Sequence, residues 1–434
     1  MKIQTVTVIG ANGTMGTNVA GIFASFGNTK TYMVSRSIEK SEAAIVNAGK
    51  SVRAESITAN MIPVDYDSLE ACVAESDLVF ESVAENMDIK KDIMQRVANT
   101  AKKDAIICSG TSGLSITALA ECLPEELRKN CFGVHMFNPP YNLTLCELIP
   151  TAYSDKAVQA ELKDYLKNVL FRALVEVKDS PAFLGNRIGF QFINETIQYA
   201  EKYQDNGGID YIDGILGGFT GRAMSPLDTA DFVGLDVHKA IVDNLYENTN
   251  DYAHDTFVLP QYAQELIKEG KLGRKAKDGL YKMVKTEDGN KYLTVYDIKT
   301  GQYRVKEKYD FSFAKAMREA LQNGDYQQAF TALLEDESPE AKLCVEFLLK
   351  YIVYALHIVK DLSDSVHAVD IAMATGFNWC PPLAMADALS TVTDLKQLMQ
   401  ERLDTKLLNQ VNVDVIMKAV EPSKYDYRRF FKAN

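Results

Sequence analysis

Histidine and cysteine are scarce in this 434-residue chain, and neither falls into a ligand pattern: there are five His and seven Cys, with no CxxC pair. An odd cysteine count without metal-type spacing excludes a disulfide framework and a structural zinc site, and points to reduced thiols. No metal is expected. Basic charge is also short. Lys and Arg number 47 against 59 Asp and Glu, a net charge of −12, which argues against nucleic acid or an anionic membrane as partner. A long hydrophobic run is missing too: the longest apolar stretch, Leu343–Val359, contains Glu346, Lys350 and His357 and reads as a buried or amphipathic helix, not a membrane span. Met1–Ile9 leads straight into a glycine turn with no apolar signal region, so a cytoplasmic protein is the expectation. What is there, 47% hydrophobic and 24% charged residues, is the composition of a folded protein with two to four domains.

From residue 1 to about 180, β-rich runs such as Ile3–Ile9, Thr31–Val34, Leu78–Glu81, Ala105–Cys108 and Phe132–His135 alternate with helical patterns such as Thr14–Phe26, Ile38–Ala48 and Met87–Thr100. Alternation of this kind predicts βαβ units and a mostly parallel sheet with helices on both faces, an α/β Rossmann-type domain over 1–180. Helical patterns fill 181–285. Strand signals return around Leu280–Arg304, with Asp288-Gly289 and Thr300-Gly301 as turns, predicting a β-hairpin linker at 286–310. A second all-α domain is expected over 311–434. It looks like a copy of the first: Ile212-Asp213, Gly218-Phe219 and PLDTAD at 226–231 are echoed by Val369-Asp370, Gly376-Phe377 and PLAMAD at 382–387.

Val6–Ile9 reads as a strand, Gly10-Ala11-Asn12-Gly13-Thr14-Met15-Gly16 as a glycine turn, and a helix follows. This is the setting of a dinucleotide fingerprint. Gly10 permits the tight turn, Gly13 lets the backbone approach a pyrophosphate, Gly16 lets the helix pack close, and the helix N-terminus, with Asn12, Thr14 and Met15 around it, faces the phosphates. Asn12 makes the loop one residue longer than GxGxxG. At the end of the second strand, where an NAD enzyme carries Asp or Glu, stand Ser35 and Arg36. A small hydroxyl beside a guanidinium suits a 2′-phosphate, so an NAD(P) cofactor is expected, with NADP(H) favoured over NAD(H).

Other segments end at the same sheet edge. Glu81-Ser82-Val83-Ala84-Glu85-Asn86 leaves one strand and opens a helix; Cys108-Ser109-Gly110-Thr111-Ser112-Gly113 leaves the next. Then come Val134-His135-Met136-Phe137-Asn138-Pro139, Glu147 within Leu145–Ile149, and Asp179-Ser180-Pro181-Ala182-Phe183-Leu184-Gly185-Asn186-Arg187. With an ordinary pKa of about 6.5, an imidazole is a suitable base near neutral pH. Glu147, on a neighbouring strand, is placed to accept the other ring N–H of His135 and stabilise the imidazolium. Ser112 has a plainer reading, as cap of a helix starting near Ser115.

In this order the motifs resemble the 3-hydroxyacyl-CoA dehydrogenase family from residue 1 to about 285. Arg222–Asp236 and Leu272–Lys282 resemble its helical domain, and Asp370–Asp387 the extra helical module of its longer members. The resemblance implies reversible oxidation of (S)-3-hydroxyacyl-CoA to 3-oxoacyl-CoA by hydride transfer to NAD(P)+, with an acyl-CoA as partner molecule and His135 and Glu147 as the dyad. It implies that Ser112 and Asn186 hydrogen-bond the C3 oxygen, that Asn138 helps align dyad and substrate, and that Glu85 and Lys90 lie near the nicotinamide and its ribose. The chain departs from the pattern in three places. Gly113-Leu114 follow Ser112 where a second Ser is common, Ala182 replaces a frequent Gly, and the stretch 36–78 is short. Lys40, Lys50 and Arg53 remain in that stretch to meet nucleotide phosphates of the substrate. Family members with one helical domain dimerise through it; a second module would take the partner's place, and monomer and homodimer both stay open. So do two other functions, a dehydrogenase of free 3-hydroxy acids and a non-catalytic nucleotide-binding relative. A Ser–His–Glu hydrolase is disfavoured, because Gly110–Leu114 fails the GxSxG elbow.

Overall fold

Thr5–Ile9 (β1), TVTVI, is buried almost throughout, Thr7 included, as a central parallel strand between two helical layers must be. In the computed structural model, which describes residues 2–52, 55–286 and 288–433, the chain divides into two units, Met1–Phe183 with Asp361–Asp364 and Leu184–Lys360 with Ser365–Asn434. The first unit runs β1, α1 (Thr14–Ser25), β2 (Lys30–Ser35), α2 (Ile38–Val52), β3 (Met61–Asp65), α3 (Leu69–Glu75), β4 (Leu78–Glu81), α4 (Met87–Ala98), β5 (Ile106–Ser109), α5 (Ile116–Ala120), α6 (Glu125–Arg128), β6 (Cys131–Met136), β7 (Leu145–Pro150), α7 (Lys156–Asp164) and β8 (Ala173–Glu176).

Its eight strands lie in the order β3-β2-β1-β4-β5-β6-β7-β8. Every pairing is parallel except β6 with β7. One face is buried by α1, α2 and α7, around Val8, Phe23, Ala44, Phe80 and Leu162. The other is buried by α3, α4 and α5, around Ile9, Val73, Met94 and Leu119. This is the Rossmann-type unit that the alternation predicts. It holds one strand the sequence reading passes over: β3 carries Pro63, which has no N–H for a ladder and is tolerated because β3 is the sheet's edge. The order reverses between β2 and β4 on either side of β1, so the ligand crevice of such a sheet lies at the carboxyl end of β1.

The second unit is mainly helical: α8 (Gly185–Lys202), α9 (Ile209–Ile215), α10 (Pro226–Val233), α11 (Leu235–Asn248), α12 (Gln261–Lys268), then α13 (Ser312–Gln322), α14 (Tyr326–Glu335), α15 (Pro339–Leu362), α16 (Ala368–Ala372), α17 (Pro382–Ser390) and three shorter helices. Between α12 and α13 lie β9 (Tyr281–Lys285), β10 (Lys291–Asp297) and β11 (Gln302–Val305), an antiparallel sheet of order β11-β10-β9. The segment 286–310, expected as a hairpin, therefore holds the second and third of three strands, with Gly289 and Gly301 at the turns in left-handed conformation.

The two stretches of similar sequence are built alike. Asp213 accepts hydrogen bonds from the N–H groups of Leu227 (2.9 Å) and Asp228 (3.1 Å) at the start of α10; Asp370 accepts from Leu383 (2.9 Å) at the start of α17. Gly221 and Asn378, both left-handed, close the turns between, and Pro226 and Pro382 each open the following helix. Leu343–Val359 lies within α15 and is mostly buried. Among the described residues no helix is long and apolar enough to cross a membrane.

Candidate active site

The glycine turn follows β1 and wraps back on β2, with the N–H groups of Gly10 and Ala11 both bonded to the carbonyl of Val34 (3.0 Å each). Gly10 sits at φ +80°, and a Cβ there would meet the Ser82 carbonyl oxygen at 2.4 Å; one on Gly16 would meet the Gly10 oxygen at the same distance. Both glycines are therefore required by packing. Gly13 is open, with no atom but the Gly10 oxygen nearby. Asn12, Gly13 and Thr14 are exposed and Met15 is half-buried. No side chain caps α1 and its first turn holds no acidic residue, so its leading N–H groups and positive dipole end are left for an anion. These features fit a dinucleotide pyrophosphate.

Register aligns the rest. Ile9, Glu81, Ser109 and Gly133 stand level across β1, β4, β5 and β6. His135 lies two residues further along β6, about 7 Å past that line at the rise of a strand. It is directly opposite Glu147 on β7, which puts both side chains on the same face. His135 Nδ1 and Glu147 Oε2 are 2.7 Å apart, with the residues 4% and 0% exposed. The imidazole is flanked by the rings of Phe137 (4.7 Å) and Phe183 (5.6 Å). A carboxylate so close and so dry favours Nδ1–H, leaving Nε2 as the basic nitrogen.

At the ends of β4 and β5, Glu81 is fully buried. Its Oε1 accepts from Val83 N (2.6 Å) and Lys90 Nζ (2.8 Å), and its Oε2 from Ser109 Oγ (2.6 Å). Glu85 is half exposed, and its Oε1 accepts from Thr111 Oγ1 and from Ser112 N (2.8 Å). Ser112 is thus held at this edge. It is not the cap of α5: Ser115 Oγ takes the N–H of Ala118, and Asp179 takes those of Ile116 and Thr117. Asn86 caps α4 through Asp88 N and Ile89 N. Burial pushes the thiols of Cys131 and Cys146 up to about 12 and that of Cys108 well above its ordinary value, so these three offer no thiolate at neutral pH.

Several expected residues are placed differently. Ser35 is buried, its hydroxyl bonded to the Ser37 carbonyl (2.9 Å) and Ser41 Oγ (2.6 Å), so it is turned into the fold and offers nothing to a ribose; Arg36 is exposed. Lys90 is 1% exposed, with its ammonium 3.4 Å from Glu85 Oε2. The amide oxygen of Asn138 accepts from Asn18 Nδ2 on α1 (3.2 Å), with no hydrogen bond to the dyad among the described residues. Lys40 and Lys50 are exposed on α2; ten residues of helix, about 15 Å, separate them, so they cannot share one phosphate. Arg53 lies outside the described residues. Asn186, in the second unit, is buried in the first turn of α8. Sequence reasoning gave no role to Glu81, Ser109, Thr111 or Phe183. A strand-end Glu followed nine residues later by Lys was the available signal for the first. Among the described residues no cluster of His, Cys, Asp and Glu could hold a metal ion.

Residues 5–180 match the family model described as "3-hydroxyacyl-CoA dehydrogenase, NAD binding domain", and 183–283 the one described as "3-hydroxyacyl-CoA dehydrogenase, C-terminal domain". A "Probable 3-hydroxyacyl-CoA dehydrogenase" of Bacillus subtilis is 28% identical over 79% of this chain, which spans 42% of that protein, less than half its length. One of the same description from Deinococcus radiodurans is 30% identical over 66% of this chain and 85% of its own. The structure of (S)-3-hydroxybutyryl-CoA dehydrogenase PaaH1 from Ralstonia eutropha, 28% identical, covers 64% of this chain and 98% of its own with a TM-score of 0.56. That of 3-hydroxybutyryl-CoA dehydrogenase from Escherichia coli, 22% identical, covers 92% and 95% with a TM-score of 0.69 and shares the fold. By its motifs, its glycine turn and these matches, the chain belongs to the 3-hydroxyacyl-CoA dehydrogenase family.

Proposed function

We propose that the chain interconverts (S)-3-hydroxyacyl-CoA and 3-oxoacyl-CoA. The observation that carries this is the His135–Glu147 pair, 2.7 Å apart, dry, and just past the carboxyl edge of the sheet. His135 Nε2 takes the proton of the C3 hydroxyl. Glu147 accepts Nδ1–H, holds that tautomer and balances the charge of the imidazolium. Ser112 and Asn186 hydrogen-bond the C3 oxygen, and Asn138 orients the substrate. A nicotinamide dinucleotide, when bound, supplies the hydride acceptor. Gly10, Gly13, Gly16 and the start of α1 hold its pyrophosphate, and Glu85 faces its ribose. Lys40 and Lys50 contact separate phosphates of the acyl-CoA. Cofactor choice is NADP(H) over NAD(H), a reading that now rests on exposed Arg36, since the Ser35 hydroxyl is engaged.

We also read 311–434 as a second copy of the helical domain at 181–285, supported by the paired caps at Asp213 and Asp370. Such a copy takes the place of a partner's domain, so the chain should sediment as a monomer; a dimer closed through 181–285 would contradict it. Seven free thiols, six of them buried, support a reducing, cytoplasmic setting. The activity is tested by loss of reduced-nicotinamide absorbance with acetoacetyl-CoA, run with NADPH and NADH in parallel. Turnover with NADPH preferred is expected. No turnover with either rejects the activity, and clear preference for NADH rejects the role of Arg36.

A further inference from the structure

Asn18 stands where an apolar residue is expected. It lies on α1 within Gly16–Ala24, a stretch buried throughout, and is itself 9% exposed. Asparagine is a poor helix former, and a buried amide costs free energy unless it is bonded. A local rule is broken here, and such breaks gather at functional sites. The partners of Asn18 lie outside the helix. Its Nδ2 donates to Asn138 Oδ1 (3.2 Å), and its carbonyl accepts from the Tyr141 hydroxyl (3.1 Å). Gly21 leaves the room for this contact, since a Cβ there would meet the Tyr141 oxygen at 2.1 Å. Thr17 reaches the other way, its hydroxyl donating to the Ala11 carbonyl in the glycine turn (2.7 Å). α1 thus ties the glycine turn to the loop 137–144, and the strands at the two ends of that loop carry His135 and Glu147.

We propose that Asn18 is a positioning residue for the substrate: by taking the Asn138 amide oxygen it turns the Asn138 nitrogen outward, so that the loop presents a donor to an oxygen of the acyl thioester. Asn138 is exposed, and its Nδ2 has no hydrogen bond among the described residues. A primary amide carries an acceptor on one side and two donors on the other. Left free on a loop, it turns over and offers either; bound through its oxygen, it offers only the donor. Asn18 itself touches no substrate and acts through Asn138. The inference rests on reading Asn138 as a residue that orients the substrate.

The test compares Asn18→Asp and Asn18→Ala, each alone and in an Asn138→Ala background, by kcat/KM for acetoacetyl-CoA. Dinucleotide is kept saturating, so that a charge added to α1 does not act through cofactor binding, and every assay runs below the onset of melting. A carboxylate at position 18 only accepts, so the Asn138 amide turns over to donate to it and presents its oxygen to the substrate. Asn18→Ala merely releases the amide. kcat/KM should therefore fall about tenfold further in Asn18→Asp than in Asn18→Ala, the scale of a polar group left facing no partner. Equal losses in the two, or a smaller one in Asn18→Asp, would overturn the proposal. In the Asn138→Ala background neither change should cost anything more, because the amide through which Asn18 acts is gone. Losses of the same size in that background would show Asn18 to be structural only and also overturn it. Should Asn18→Asp not fold, the cycle of Asn18→Ala with Asn138→Ala decides: strongly non-additive losses are expected, and additive ones overturn the proposal. His135→Gln run alongside separates the failures: if it keeps full turnover, the functional reading fails, whatever the Asn18 variants do.

Discussion

The two units treat their buried carboxylates differently. In the Rossmann unit, Glu147 is held by an imidazole and Glu81 by an ammonium, a hydroxyl and one backbone N–H. In the helical unit Asp210 pairs with Arg304 and Glu195 with Lys350, but three other buried aspartates are held chiefly by main chain. Asp213 takes the N–H groups of Leu227 and Asp228 with the Tyr281 hydroxyl, Asp231 takes those of Leu280 and Tyr281, and Asp370 takes that of Leu383 with the Ser423 hydroxyl. Burial pushes Asp213 and Asp370 up to about 6 and Asp231 to about 7, and pushes His238 down to about 3. Displaced ionisation is often read as a mark of a functional site. For these three aspartates it marks helix starts and turns.

Changing Glu147 in the first unit should cost activity and leave stability nearly intact. Glu147→Gln keeps the shape but cannot balance an imidazolium, so kcat should fall by about 10²–10⁴ with Tm little changed, measured by the acetoacetyl-CoA assay and thermal melts. A large loss of Tm with proportionate activity would erase the contrast between the units.

In the second unit the effects should fall on stability. Arg222 is buried under the Phe192 ring (4.1 Å) and near Trp379 (5.0 Å), and its Nε and Nη2 have no hydrogen-bond partner among the described residues. Nη1 donates to Thr220 Oγ1 (2.9 Å), but no carboxylate pairs the cation among the described residues, so an apolar side chain of similar length removes its desolvation cost and Arg222→Met should stabilise by about 1–4 kcal/mol at constant kcat. Chemical denaturation checks this, and destabilisation would show that the cation is needed.

The pH dependence of stability is smaller and has a definite sign. His238 is pushed below its ordinary 6.5, so its contribution is full above that value and lost as pH falls toward 3. The three aspartates are pushed above 3.8; their contribution is full below that and lost as pH rises through 6 to 7. The two slopes oppose each other in mild acid. Above pH 6.5 His238 no longer acts and Asp231, at about 7, is the aspartate still losing its proton, so Tm should decline until the pH has passed that value. Asp231→Asn should flatten that decline; an unchanged slope would remove Asp231 from the account.

The smallest effect concerns the turn at 181–183. Ala182 and Phe183 are both left-handed, at φ +57° and +56°. A Cβ disfavours that region, so Ala182→Gly should stabilise by up to about 1 kcal/mol, visible as a small rise in Tm; a fall would show that the Ala182 methyl contributes more by packing.

Local pattern carried the sequence reading a long way where chemistry is local. The glycine turn after β1 and the pairing of His135 with Glu147 were both legible, the second because two strands separated by a short loop bring a His and a Glu twelve residues apart face to face. What escaped depends on contacts that no short window shows. β3 was hidden by Pro63, which reads as a breaker until the strand is known to be an edge. Ser35 looked like a ribose ligand because Ser41, its actual partner, lies on the helix that folds back over the strand. The burial of Lys90 on α4 was not legible either, because it depends on Glu81 at the end of β4.

The most direct test of the account is acetoacetyl-CoA reduction by wild type and His135→Gln, with dinucleotide binding followed by fluorescence in the same samples. The account predicts turnover in the wild type, a loss of about 10²–10⁴ in the variant, and equal dinucleotide affinity in both. Undiminished turnover by the variant would contradict it.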